Sequence, residues 1–178
     1  MTDAALFLVT GPSAAGKSTV GRLLAERFSR GVFLEGDIFR RSIVTGRCEM
    51  RPNAPPEALS QLRLRYRLAA AAADAYFEAG FAVVLADVVA GPLLSDYVDL
   101  IQSRPLHIVV LVPSVATIAA REAARDEDGY ARFSIQELHG AFLEETPRLG
   151  LWLDSSGQTP EQTVEQIVAD TDRALTCA

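Results

Sequence analysis

The sequence predicts an α/β protein in three layers, in which helices cover both faces of a parallel, five-stranded sheet. Short, nearly continuous apolar runs alternate along the chain with longer segments of helical periodicity. This alternation is typical of a parallel sheet that is buried on both faces. The chain has 178 residues, of which 49% are hydrophobic, so it can form one substantial core. We therefore expect a single domain over residues 1–178.

The apolar runs and the turn signals between them place the individual elements. Strands are predicted at residues 6–10, 32–34, 81–86, 106–112 and 151–153. Helices are predicted at residues 17–28, 56–79, 115–125, 133–145 and 159–174. Gly80 suits the end of the second helix because glycine tolerates positive φ, and Ser114 suits the N-cap of the third. Residues 46–56 form the predicted long loop.

Composition argues against several classes of protein. The formal net charge of −6 disfavours a broad affinity for nucleic acid or anionic lipid. No basic leader precedes the first strand, and no apolar run approaches the roughly 20 residues of a membrane helix. We therefore expect a cytoplasmic protein without nucleic-acid or membrane partners. Cys48 and Cys177 form no metal-ligand or redox pair, and we interpret both as ordinary thiols.

The strongest functional signal is a glycine-rich segment between the first strand and the first helix. Residues 11–18 match the phosphate-binding pattern G-x-x-x-x-G-K-[ST], in the strand-to-helix context that this pattern requires. Backbone N–H groups and the helix N-terminus would face the phosphates of ATP. Lys17 would reach the β- and γ-phosphates, and Ser18 would supply a ligand to Mg²⁺. The predicted ATP-binding residues of this segment are Gly11, Pro12, Ser13, Ala14, Ala15, Gly16, Lys17, Ser18 and Thr19.

Beyond this loop the sequence resembles the small P-loop kinases. Among them it is most similar to the chloramphenicol phosphotransferase-like group, which is related to gluconate, shikimate and adenylylsulfate kinases. The resemblance also rests on residues 34–37, on residues 83–88 and on the arginine-bearing stretch 121–132. It implies the three-layer P-loop NTPase fold of the nucleotide kinases. It also implies an acceptor-binding region at about residues 38–70 and a short lid at about residues 121–133.

Asp37 follows the second predicted strand. A carboxylate at the carboxyl end of a parallel strand can face the γ-phosphate across the cleft. We predict that Asp37 is catalytic, either by accepting the proton of the acceptor hydroxyl or by orienting that hydroxyl. The resemblance to the chloramphenicol group supports this role. The structural alternative is capping of the helix that begins near Ile38, and the two roles are compatible.

Asp87 ends the third predicted strand, which resembles a Walker B strand whose aspartate holds Mg²⁺ through water. In many small kinases of this type the same residue contacts the substrate instead, so the metal and the substrate roles both stay open. A purely structural role is the third alternative, because a carboxylate that leaves a buried strand needs a polar partner.

The arginine-bearing stretch supplies the predicted lid residues. Arg121 and Arg125 share a helix face, and Arg132 follows them. The resemblance implies that lid arginines close over the transferring phosphoryl group. We predict that Arg121 contacts ATP and that Arg125 is catalytic. A solvated helix face is the alternative, because acidic residues are interleaved among these arginines.

A second group of arginines follows Asp37. Arg40 and Arg41 are predicted to bind the acceptor, where either of them could hold an anionic substituent. A solvated surface is the interpretation for most of this group, and Arg65 is expected to point away from the face that Arg63 and Arg67 share. The other members are Arg47 and Arg51.

Asp154 lies in an Asp-Ser-Ser-Gly segment after the last predicted strand. In many of these kinases the corresponding segment lies near the adenine ring, so Asp154 is a predicted cofactor-binding residue. Turn chemistry is the alternative. His107 and His139 have no partner at an informative spacing, and we assign neither a catalytic role.

Three functions are compatible with these features. The first is an ATP-dependent kinase of a small hydroxylated metabolite or antibiotic, and we favour it. The second is a nucleoside or nucleotide kinase, which the arginines after Asp37 would suit. The third is a regulatory ATPase that acts on a protein partner; the guanine-reading Asn-Lys-x-Asp segment of a GTPase is absent from the sequence. The sequence specifies neither the acceptor nor the oligomeric state.

Overall fold

The computed structural model describes residues 4–124 and 133–176, and its sheet confirms the predicted fold class. Five parallel strands run in the order β2-β3-β1-β4-β5, so β1 is central. The strands are β1 Leu6–Thr10, β2 Gly31–Glu35, β3 Ala82–Ala86, β4 Leu106–Leu111 and β5 Leu151–Leu153. Each strand end lies within one residue of its predicted position.

Helices connect the strands. They are α1 Lys17–Ala25, α2 Asp37–Arg41, α3 Pro56–Glu78, α4 Leu93–Leu100, α5 Val115–Ala123, α6 Ile135–Gly140, α7 Pro160–Ala169 and α8 Thr171–Ala174, with a π-helical segment, Ala141–Glu145, after α6. The short helix α4 is not predicted from the sequence, and of α2 the sequence predicts only a start near Ile38. The helix predicted at residues 159–174 is divided at Asp170 into α7 and α8.

Within residues 4–124 and 133–176, none of the helices combines the length and the apolar character that crossing a bilayer requires.

Alternate side chains of each strand point to opposite faces of the sheet, and this alternation creates the two main parts of the core. Phe7 and Val9 of β1 pack in a cluster with residues of α1 and α7. Leu6 and Leu8 pack in a second cluster with residues of α3 and α4. Helices therefore cover both faces, and β1 is held rigidly at the centre. The loop that follows β1 inherits this fixed position.

The predicted N-cap of α5 is confirmed. The Ser114 hydroxyl accepts a hydrogen bond from the Thr117 N–H at 3.2 Å, which satisfies one of the free N–H groups in the first helical turn. Ser134 and Thr159 form capping boxes at the starts of α6 and α7. Local side-chain chemistry thus fixes where these helices begin.

Leu85 of β3 provides a test of this packing. Its side chain is fully buried in the cluster that includes α3, so Leu85→Ala leaves a cavity and should lower the free energy of unfolding by about 2–5 kcal/mol. Leu64→Ala is the matched control on α3, because Leu64 is 38% exposed and its truncation should change stability by less than about 1 kcal/mol. Urea unfolding of both variants measures the difference. Equal losses for the two variants would contradict this assignment of the core.

Candidate active site

The glycine-rich segment forms a loop that closes directly on the end of β1. Gly11 has φ +147°, and a side chain there would bring its Cβ within 2.2 Å of the Leu111 carbonyl oxygen. Only glycine fits this position. The loop then turns back, with a hydrogen bond from the Ala15 N–H to the Pro12 carbonyl at 3.2 Å. Gly16, at φ +100°, leads into the first turn of α1.

Lys17 is the only lysine of the chain. Its Nζ donates a hydrogen bond to the Pro12 carbonyl at 2.7 Å, so the amine curls over the loop. Ser18 and Thr19 are exposed in the first turn of α1. A cation and a row of helix N-terminal N–H groups therefore face the same space, which is the arrangement that binds phosphate anions.

A cavity of about 990 Å³ extends from this loop along the carboxyl edge of the sheet. One end of it is formed by the phosphate loop and by Arg121. The other end is formed by residues of α2 and α3 and by the ends of β2 and β3. The structure thus brings most of the predicted site residues into one cavity: Ser13, Ala14, Ala15, Gly16, Lys17, Ser18, Thr19, Asp37, Arg40, Arg41, Asp87 and Arg121.

Asp37 is the first residue of α2, and arginines surround its carboxylate. Arg40 donates to it from Nε at 2.5 Å and from Nη2 at 2.9 Å. Arg41 Nε lies at 3.3 Å and Arg65 Nη1 at 3.3 Å. Burial raises the pKa of Asp37, but the hydrogen bond from Arg40 and the charges of the three arginines outweigh this effect. The pKa of Asp37 is therefore lowered, and the carboxylate is ionised at neutral pH.

The same arginines continue into a wider network. Arg40 Nη1 donates to Glu49 Oε1 at 2.5 Å, and Arg47 Nε lies 3.1 Å from the same oxygen. Arg41 Nη2 lies 3.6 Å from Glu35 Oε2. The hydrogen bond to Asp37 is the main cause of a raised pKa for Arg40. This network joins α2 to the following loop.

Asp87 has no exposed side-chain surface. Its Oδ1 accepts the Val88 N–H at 2.7 Å and pairs with Arg65 Nη2. Its Oδ2 accepts Arg65 Nε at 3.1 Å, and the Tyr97 hydroxyl lies 3.5 Å away. Burial raises the pKa of Tyr97, so this hydroxyl keeps its proton and can donate. Each carboxylate oxygen thus already faces a donor.

Arg65 is the site residue that sequence reasoning missed. It does point away from the exposed face that Arg63 and Arg67 share, but the sequence assigned it no role, whereas only 11% of its side chain is exposed and it contacts both Asp37 and Asp87. The signal for this lies in α3, where Arg65 is three residues from Leu62 and four from Ala69. Those positions pack toward the core, so helical periodicity places Arg65 on the inward face.

Arg121 links the phosphate loop to the loop after β5. Its Nη1 donates to the Ala15 carbonyl and its Nη2 to the Ser155 carbonyl, both at 3.0 Å. It therefore lies beside the predicted ATP-binding residues. The other predicted lid arginines, Arg125 and Arg132, lie outside the described residues.

Asp154 makes the contacts of a turn. Its carboxylate accepts the Ser156 N–H at 2.9 Å and also pairs with the Ser156 hydroxyl. The hydrogen bonds from Ser156 lower the pKa of Asp154. Ser155 and Gln158, rather than Asp154, line the cavity. The contact of Asp154 with the cofactor stays a prediction.

Three solved structures of the same fold are similar to this chain over nearly its full length. A sugar kinase from a Janibacter species, in its unliganded form, has 22% identity, with 96% of each chain covered and a TM-score of 0.71. The tunicamycin resistance protein of Deinococcus radiodurans has 18% identity, coverage of 98% of this chain and 99% of that one, and a TM-score of 0.66. A gluconokinase from Sinorhizobium meliloti has 24% identity, coverage of 97% and 94%, and a TM-score of 0.61.

No curated protein matches the sequence significantly. The sequence model of the AAA domain matches residues 6–142, which is well over half of the chain and includes the phosphate loop, Asp37 and Asp87. The chain therefore belongs to the AAA-domain family of P-loop proteins.

Proposed function

We propose that the protein transfers the γ-phosphoryl group of Mg-ATP to a hydroxyl group of a small molecule. The observation that carries this proposal is a continuous cavity that joins the phosphate loop to Asp37. The shared fold with a sugar kinase and a gluconokinase agrees with it. The tunicamycin resistance protein adds antibiotics to the acceptors worth testing.

In this proposal the phosphates of ATP lie in the loop of residues 11–18. Lys17 exchanges the Pro12 carbonyl for the β- and γ-phosphates, and the α1 N-terminus adds N–H donors. The adenine ring of ATP would lie toward Arg121, Ser155 and Gln158. Ser155 is buried, lines the cavity, and its hydroxyl has no hydrogen-bond partner among the described residues. A polar atom in this state is more stable when a ligand supplies the partner.

Of the two predicted magnesium ligands, Ser18 fits the role and Asp87 does not. The Ser18 hydroxyl is exposed beside Lys17 and lines the cavity, so it could complete a shell of phosphate oxygens and waters around the ion. The Asp87 carboxylate does not fit, because it is enclosed and paired with Arg65. When bound, Mg²⁺ would neutralise charge on the phosphate oxygens.

The environment of Asp37 favours alignment over strong basicity. A carboxylate whose pKa is lowered by Arg40, Arg41 and Arg65 takes up a proton weakly. Phosphoryl transfer passes through a loose transition state, in which positioning and charge neutralisation contribute more than proton abstraction. We infer that Asp37 accepts a hydrogen bond from the acceptor hydroxyl, directs its oxygen at the γ-phosphorus, and receives the proton as the new P–O bond forms.

The acceptor end of the cavity favours an uncharged alcohol over a nucleoside monophosphate. Every guanidinium group that lines it within the described residues has a carboxylate partner, and carboxylates outnumber guanidinium groups there. A phosphate dianion would have to displace these pairs. The charged residues of this end are Arg40, Arg41 and Arg65 with Glu35, Asp37, Glu49 and Asp87. Ile43, Met50 and Leu62 add apolar surface, which suits the carbon skeleton of such an alcohol.

We further propose that residues 38–70 bind the acceptor, since α2, the loop after it and the first half of α3 all line this end. The proposed lid at residues 121–133 lies mostly outside the described residues. Its catalytic residue, Arg125, stays a prediction for the same reason.

The function predicts ADP release that depends on an acceptor. A screen of sugars, hydroxylated antibiotics, nucleosides and nucleoside monophosphates with Mg-ATP should give turnover with one of the uncharged alcohols and little turnover without an acceptor.

Lys17→Ala should abolish turnover, and Asp37→Asn should lower kcat by about 10²-fold while ATP binding persists. Asp99→Asn is the control, because Asp99 is exposed on α4. ATP hydrolysis that no acceptor accelerates would favour the regulatory ATPase, and a preference for nucleoside monophosphates would favour the nucleotide kinase.

The charge of Asp37 can be measured directly by ¹³C NMR of the carboxyl carbon in aspartate-labelled protein, with the signal assigned through Asp37→Asn. Its pKa should lie below the ordinary aspartate value, so the group stays ionised throughout the neutral and mildly acidic range. Arg40→Gln removes the main stabilising contact and should raise this pKa. Arg51→Gln, in an exposed loop position, should leave it unchanged. If the pKa of Asp37 in the parent protein lies above the ordinary aspartate value, Asp37 is suited to act as a strong general base. That result would contradict the aligning role.

A further inference from the structure

Asp37 and Asp87 lie at the ends of neighbouring parallel strands, and Arg65 reaches both from α3. Arg65 uses Nε and Nη2 for Asp87 and Nη1 for Asp37. All three guanidinium nitrogens are therefore engaged by carboxylates. A guanidinium group is planar and holds its donors in fixed directions, so its orientation is set by the pair of contacts to Asp87. The remaining donor then points at Asp37.

We propose that Arg65 is a positioning residue. Asp87 holds the guanidinium group of Arg65 in place, and that group in turn fixes the carboxylate of Asp37. Asp87 therefore anchors an arginine and does not ligate Mg²⁺. The proposal rests on the proposed function only for the role of Asp37 in the reaction. It assigns a role to the buried carboxylate of Asp87, which follows β3. The sequence alone left open whether Asp87 binds the metal, binds the substrate or is structural.

The packing around Asp87 supports an anchor. An added Cβ at Gly36 would lie 1.9 Å from Asp87 Oδ2, so glycine at this position allows the Asp87 carboxylate to lie directly beneath the chain that leads to Asp37. Tyr97 approaches from the other side, and its ring stacks on Tyr66 with centroids 4.4 Å apart. The Tyr66 hydroxyl donates to the Val88 carbonyl at 3.0 Å. The carboxylate is thus enclosed on several sides.

This enclosure disfavours a metal at Asp87. A carboxylate oxygen needs a free lone pair to bind the cation directly or to accept a hydrogen bond from a water that does. Oδ1 of Asp87 already faces the Val88 N–H and Arg65 Nη2, and Oδ2 faces Arg65 Nε and the Tyr97 hydroxyl. The guanidinium charge would also repel a divalent cation at close range. Metal binding there would require Arg65 to give up both of its contacts to Asp87 within a buried site, and breaking a buried ion pair is strongly unfavourable.

Arg65 differs from the other two arginines at Asp37. Arg40 and Arg41 belong to α2, the same short helix as Asp37, and Arg41 is about half exposed. Arg65 belongs to α3 and is tied through Asp87 to the rigid sheet. It therefore adds a side-chain link from β3 to the Asp37 carboxylate, whose backbone is already tied to that strand by the hydrogen bond from the Gly36 N–H to the Ala86 carbonyl at 2.9 Å.

The test uses the full chain, and its readouts do not depend on an identified acceptor. The position of Asp37 is followed through the ¹³C chemical shift of its carboxyl carbon at neutral pH. The metal site is followed through the affinity for Mn²⁺ in the presence of ADP, with Mn²⁺ as a paramagnetic substitute for Mg²⁺. The variants are Arg65→Met, Asp87→Asn and the double variant, which removes both buried charges and so avoids an unpaired one. Arg67→Met on the exposed side of α3 is the control.

The proposal predicts that Asp87→Asn moves the Asp37 signal as Arg65→Met does, because Arg65 is the side chain that contacts both carboxylates. The double variant should move it no further than either single variant, because residues that act as one unit are not additive. The affinity of the Asp87→Asn and double variants for Mn²⁺ in the presence of ADP should stay within about twofold of the parent value. Loss of a metal ligand worth about 1.4 kcal/mol would instead lower this affinity about tenfold.

Two results would overturn the proposal. An Asp37 signal that Arg65→Met leaves in place would show that Arg65 does not position it. A loss of about tenfold or more in Mn²⁺ affinity caused by Asp87→Asn, alone or in the double variant, would make Asp87 a metal ligand. If instead the parent protein binds neither ADP nor Mn²⁺ with ADP, the proposed function fails, and the movement of the Asp37 signal still decides the role of Arg65.

Discussion

The parallel register of β1, β2 and β3 is the constraint on which the site depends. Ala86 of β3 pairs with Val9 on one side and with Glu35 on the other, so the three strands end almost level. The phosphate loop, Asp37 and Asp87 each follow directly from one of these ends. Carboxyl ends of parallel strands form the usual binding edge of an open α/β sheet, and here the level ends bring a phosphate site and two carboxylates to one cavity without any long connection.

Local charge pairing explains how an acidic chain can offer a polyphosphate site. The net charge of −6 disfavours non-specific anion binding, but phosphate recognition depends on donors within a few ångströms. Lys17, the α1 N-terminus and Arg121 supply these at one end of the cavity. At the other end carboxylates are matched against arginines, with Arg65 enclosed between two of them. The two ends therefore differ in the charge that they present to a ligand, which separates a place for ATP from a place for an alcohol.

Much of this fold could be predicted from the sequence because its signals are local. The strands are continuous apolar runs, and the phosphate loop needs glycine at Gly11 for steric reasons. The helix α4 is too short for periodicity to reveal it, and of α2 only the start near Ile38 could be predicted. Arg65 was missed because an arginine on a helix is usually solvated, and its burial depends on two carboxylates that are distant in sequence, 22 and 28 residues away. Ion pairs between side chains of different helices and strands depend on the tertiary structure, and the order of charged residues along the sequence does not specify them.

The central claim, that polyphosphate binds at the loop of residues 11–18, can be tested through the single lysine of the chain. Protein labelled only with ¹⁵N-lysine should give one backbone amide signal, from Lys17, which lies in the loop itself. Binding of Mg-ATP should move this signal in a saturable way, because the bound phosphates accept hydrogen bonds from N–H groups of the loop. A Lys17 signal that stays in place at millimolar Mg-ATP in folded protein would contradict the account.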